Sequence, residues 1–167
     1  MNTQNHNKVQ SKNARNSDLN LNLRSLSDSE LHDNTLATAH KEQHFTMLIL
    51  HHLYEVNRRM LFAQLGFSSL FEYTCSLGYS ESQSSQRIQA MRLIHSMTEA
   101  QEALSNHTLN LTQAAMIQRF IKKEEKEFKL TNEKKQEVLG QCHGKSLRET
   151  EKILLSNSKN PETYIPT

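Results

Sequence analysis

Apolar residues recur along this chain at the three- and four-residue spacing of helices, and no stretch shows the alternation of a strand. The clearest case is Phe45, Leu48, Ile49, His52, Leu53, Val56 and Met60, which fall on one face when the chain turns about 100° per residue. The starts of the elements are marked as well as their faces. Ser27–Glu30, Ser69–Glu72, Ser80–Gln83 and Ser146–Glu149 each have the spacing of a capping box, in which a hydroxyl and an acid or amide three residues on satisfy each other's backbone N–H. Leu26 and Leu31 flank the first box at staple positions.

The pattern predicts a helix from Asp28 to Gly66, as one rod or as two helices broken near His40, with Gly66 as its C-terminal glycine. A short helix to about Leu77 follows, then one from Ser80 to about Met97 and a short one from Thr98 to about Ser105. Thr112 is expected to cap a helix over 113–127, Thr131 one over 132–141, and Ser146 a last one to about Leu155. The fold class is therefore all-α: a multi-helix domain with one long N-terminal helix, or two, and a helix-turn-helix at its centre.

Composition sharpens the boundaries. Only 35% of the 167 residues are hydrophobic, and residues 1–25 are Asn, Ser, Gln and Lys with almost no large apolar side chains. These read as a disordered polar tail, 26–157 as the helical domain, and 158–167 as a second disordered tail. Four Gly and two Pro are too few for a strand-and-turn architecture. The formal charge of +2 names no partner, although Lys8, Lys12, Arg15 and Arg24 outnumber Asp18 in the tail and give it a weak, salt-sensitive attraction to phosphate. With no run approaching 18 apolar residues, the expectation is a cytoplasmic protein without a membrane segment.

Site chemistry is thin outside one stretch. Cys75 and Cys142 stand alone, Cys75 as a small buried hydrophobe. His51 and His52 diverge around a helix, His40 and His44 lack a third ligand, and His52 on the apolar face reads as a core histidine, so no metal or cofactor is expected. No nucleophile–base pair, paired carboxylates or Gly-rich phosphate loop has supporting context, which points away from an enzyme and from a small-molecule substrate. Glu55 and Arg59 make an ordinary i,i+4 surface pair; the alternative is that Arg58 and Arg59 extend a basic surface toward phosphate. The charge run Lys122–Lys126 reads as a solvated helix end.

The exception is residues 69–94, SLFEYTCSLGYSESQSSQRIQAMRLI. A helix-turn-helix needs a short helix, a tight turn and a second helix with a polar outer face. Leu70, Phe71 and Leu77 supply anchors, Gly78 the turn, and Tyr79 a plug for the corner. Ile88, Met91 and His95 are expected to face inward with small Ser84, leaving Ser85, Gln89 and Arg92 outward with Ser82 and Gln86 beside them. Gln pairs bidentately with adenine, Arg with guanine or phosphate, and Ser with either. The DNA-binding set is thus Ser80, Ser82, Ser85, Gln86, Arg87, Gln89 and Arg92, and the partner double-stranded DNA. A plain helical hairpin with a polar outside is the competing account.

The chain also resembles a known family. LSDSELHDNT, ILHHLYEVNRRMLFAQLGFSSLFEYTCSLGYSESQSSQRIQAMRLI and LSNHTLNLTQAAMIQ are similar to the N-terminal helical region of bacterial HNH endonucleases, from about Leu26 to Leu155. The likeness is most specific at Glu55, Arg59, Leu65, Gly66, Ser69, Leu70, Phe71, Tyr73, Leu77, Gly78, Tyr79, Ser80, Arg87, Ile88 and Arg92; Ser84 departs from the usual Ala. A fainter likeness reaches ParB/KorB-type DNA-binding domains. The resemblance implies DNA binding and a bacterial source, but no His…Asn…His set of an HNH site is present, so no nuclease activity is implied. The alternative function is a protein–protein interaction module, a homodimer included, that uses the amphipathic helix over 28–65. On that reading, polar substitutions at Leu48 and Leu53 are the ones expected to hurt.

Overall fold

The computed structural model describes residues 22–159; the basic tail at Lys8, Lys12 and Arg15 and the tail from Asn160 onward lie outside the described residues. Within them the chain forms a 3-10 turn at Leu23–Ser25 and eight α-helices, with no strand. The helices are α1 (Asp28–Arg58), α2 (Leu61–Gln64), α3 (Leu70–Ser76), α4 (Glu81–Ser96), α5 (Thr98–Ser105), α6 (Leu111–Phe128), α7 (Asn132–Cys142) and α8 (Leu147–Asn157). The all-α expectation holds.

The chain divides into two units, residues 1–42 and 43–167. The described part of the first is the 3-10 turn and the opening of α1. The Ser27 box forms there, with the Glu30 carboxylate accepting from the Ser27 N–H and hydroxyl. Every residue from Asp28 to Glu42 is exposed.

The second unit holds the core. Its central pair is α4 and α6, with α3 and α5 packed on α4, and α8 bridging α6 and α7. Ile88, Ala90, Met91, Leu93 and Ile94 from α4 meet Ala114, Ile117, Phe120 and Ile121 from α6 in one cluster with Leu50, Leu53, Val138, Leu139 and Leu154. Two polar side chains lock α6 from within. The Gln113 amide donates to the Lys145 carbonyl at 2.6 Å and to the Thr150 hydroxyl at 2.9 Å, and the Glu124 carboxylate accepts from the Ser158 hydroxyl at 2.7 Å. Glu124 is only 1% exposed, so the 122–126 charge run is not uniformly a solvated helix end.

Several boundaries move. Helix α1 runs without a break at His40 but stops at Arg58 rather than at Gly66. Met60 turns the chain in the left-handed region (φ 53°), an uncommon conformation for a side chain without glycine's freedom. That turn carries Phe62 into the core at 7% exposure, where a straight helix would have taken it past. The cap of α6 is Asn110, boxed with Gln113, and not Thr112. Helix α5 does run from Thr98 to Ser105 as expected, with Met97 as an N-cap that makes no side-chain bond. At α3, Ser69 caps as expected, but Glu72 reaches past it to the N–H and hydroxyl of Ser68.

The face of α1 is displaced as well. Leu50 and Leu53 are buried, whereas Phe45, Leu48 and Met60 are 60%, 36% and 54% exposed. Leu53, Ile49 and Val56 of the expected face do meet the core, but burial is centred between Leu50 and Leu53, roughly 120° from the line through Phe45 and His52. His52 is accordingly an exposed residue, although its ring does make one hydrogen bond, to the Leu48 carbonyl at 2.7 Å. Cys142 is buried, which pushes its thiol pKa up to about 11, and Cys75 is half-buried; both are unpaired. No helix among the described residues is long and apolar enough to cross a membrane.

Candidate nucleic-acid interface

Helices α3 and α4 form a helix–turn–helix. The turn closes through the Gly78 N–H to the Cys75 carbonyl at 3.0 Å, with Gly78 at φ 97°, where a Cβ would be strained. The two helices approach closely because Ser84 is small and fully buried, and the Cys75 thiol donates to its hydroxyl at 3.3 Å. A complete capping box starts α4: the Ser80 hydroxyl accepts from the Gln83 N–H and the Gln83 amide oxygen accepts from the Ser80 N–H. Only Leu70 serves as a buried anchor. Phe71 and Leu77 are 40% and 46% exposed, because a helix of two turns buries one face, here Leu70 and Thr74.

The seven expected contact residues do not form one outward stripe. Ser80 and Ser82 are exposed at the start of α4, and Arg92 is exposed nearer its end. Ser85, Gln86, Arg87 and Gln89 are half-buried. Arg87 lies over the Tyr79 ring at 3.9 Å and reaches back to the Gln83 carbonyl at 3.4 Å, so its guanidinium is committed within the corner. Gln89 has its amide oxygen buried without a hydrogen-bond partner.

What the fold does bring together is a cleft of about 380 Å³. Ser85, Gln89 and Arg92 of α4 line one wall, Ser68, Ser69 and Phe71 the other, and Asn57 from the end of α1 closes one side, over Phe62, Leu70 and Ile88. Hydroxyls, two carboxamides and one guanidinium thus surround an apolar floor, and no carboxylate is among the lining residues. Arg92 makes no ion pair among the described residues. By contrast Arg58 and Arg59 both grip Glu55, Arg58 through two bonds of 2.6 and 2.7 Å, and hold its carboxyl pKa at about 2. Glu72, which does not line the cleft, is also held below the usual carboxylate range, first by the Ser68 hydroxyl and then by the Ser68 N–H.

At the last turn of α4, His95 is exposed and not inward as Ile88 and Met91 are. It stacks on Tyr54 with ring centroids 3.6 Å apart, and its Nε2 lies 3.3 Å from His51 Nδ1. Partial burial, then the neighbouring His51, lower its pKa. No group of three metal-ligating side chains occurs among the described residues.

Asn57 and Ser68 were not foreseen in the site, and Ser69 and Phe71 were foreseen only as a cap and an anchor. No local signal marks Asn57, which reaches the cleft because α1 ends beside α4. The Ser68–Glu72 bond could have been suspected, since Ser68 and Ser69 stand in tandem before the acid. In comparisons with known proteins, no family model, no curated protein and no solved structure matches the chain.

Proposed function

We propose that this chain is a non-catalytic DNA-binding module, resembling the N-terminal helical region of HNH endonucleases. The observation that carries the reading is the cleft: Arg92 stands unpaired beside Ser85 and Gln89, among hydroxyls and carboxamides and with no lining carboxylate. That is the donor set suited to a phosphodiester and to base edges. The exposed Ser80 and Ser82 at the start of α4 extend it toward a neighbouring phosphate.

Binding of the full chain to random-sequence DNA across a salt series tests this reading. Affinity should fall as salt rises, and Arg92→Ala should weaken binding on every sequence and flatten the salt slope by about one phosphate contact. Absence of binding at low salt overturns it.

The exposure of Phe45 and Leu48 favours a second reading, homodimerisation through that face of α1. The two readings are compatible, since helix-turn-helix proteins commonly bind as dimers.

A further inference from the structure

A recognition helix that enters a major groove must stand proud of its neighbours, because the groove is only about 12 Å wide. Helix α4 does not. It is half of the central α4–α6 pair, and its outer wall is flanked by Asn57 on one side and by Ser68–Phe71 on the other. Ser85 and Gln89 are half-buried inside the cleft, and Arg92 is the exposed member of the three. Side chains so recessed cannot reach the edge of a base that stays paired in a duplex. The ligand has to come to them.

The cleft fits such a visitor. Its 380 Å³ lies at the low end of small-ligand sites, which span about 300–1,000 Å³. That is room for one nucleotide and not for a helical stack. Phe71, 40% exposed on the wall, offers a ring face for stacking, and Ile88, Leu70 and Phe62 supply an apolar floor. Asn57, Gln89, Ser69 and Ser85 line the cleft with groups able to bond a base edge, and Arg92, exposed among the lining residues, supplies a cation for a phosphate.

We infer that the cleft accommodates one unpaired nucleotide, its base against Phe71 and its phosphate on Arg92, so that the preferred DNA contains an unpaired base. This rests on the DNA-binding reading and narrows it. Stacking on an aromatic ring tolerates any base, so the preference is for the unpaired state and not for a sequence.

Three labelled probes of one sequence test it: a fully paired duplex, the same duplex with one bulged nucleotide, and the single strand, each titrated with the full chain in a fluorescence anisotropy assay. The bulged and single-stranded probes should bind about tenfold tighter than the paired one. Phe71→Ala should erase that difference, and Arg92→Ala should weaken all three; both residues are exposed, and a thermal melt of each variant confirms the fold. Equal or tighter binding to the paired duplex overturns the inference and leaves the DNA-binding reading standing. A preference that survives Phe71→Ala removes the cleft as its source. Failure of all three probes to bind overturns the DNA-binding reading itself.

Discussion

Four arginines near the helix-turn-helix have sharply different roles, and their partners decide which. Arg58 and Arg59 are held by Glu55, Arg87 is laid over Tyr79, and Arg92 is left to face the cleft. Glu55 should therefore titrate with a midpoint near 2 in a carboxyl NMR experiment, and Arg58→Ala or Arg59→Ala should raise it toward 4.5. The sign follows from linkage: a lowered carboxyl contributes fully above its unfolded value, and the contribution fades as pH falls from about 4.5 through about 2. The group is solvent-exposed, so the effect on stability is small. Gln113 is the opposite case. It is 2% exposed and tied to Lys145 and Thr150, and Gln113→Ala leaves the buried Thr150 hydroxyl without this donor. Thermal or urea unfolding of that variant should show a loss of about 1–3 kcal/mol. At this scale the sequence was legible where a residue acts on its own neighbours. The capping of Ser80, Ser146 and Thr131 and the turn at Gly78 follow from local spacing. The burial of Glu124 and the arrival of Asn57 at the cleft depend on helices far away in sequence, and no local pattern announces them.

Among the elements, α1 departs most from its hydrophobic pattern. Of the expected face, Leu53 is buried and Ile49 and Val56 pack on the core, yet Phe45, Leu48 and Met60 stay exposed and Leu50, from outside that face, is buried instead. Periodicity gives the existence of a face. Which of two overlapping faces is buried depends on what lies across from it, here α4. The distinction bears on the dimer reading. Phe45→Ser with Leu48→Ser should abolish self-association in sedimentation while leaving the melting temperature nearly unchanged, whereas a polar residue at Leu53 would damage the core and report nothing about association. A chain that is monomeric before mutation rules the dimer out. The early end of α1 has the same origin. Gly66 does adopt a positive φ, but Met60 has turned the chain first, because docking Phe62 outweighs the cost of a left-handed methionine.

For the molecule as a whole, the all-α class and the order of its helices were readable from periodicity, capping signals and the scarcity of glycine and proline. The position of α4 was not: its polar outer face gives no sign of how central it is, and the fold places it at the centre of the core cluster. That placement has an evolutionary consequence. On an edge helix, new binding preferences can be sampled at little risk to folding. On α4, Ile88, Ala90, Met91, Leu93 and Ile94 are committed to packing, and Ser84 to the approach of α3. On the proposed reading, a change at Ser85 or Gln89 must suit both a nucleotide and a half-buried wall, so drift in preference is channelled to the exposed Arg92, Phe71 and Asn57, which lie on three different helices and can change one at a time.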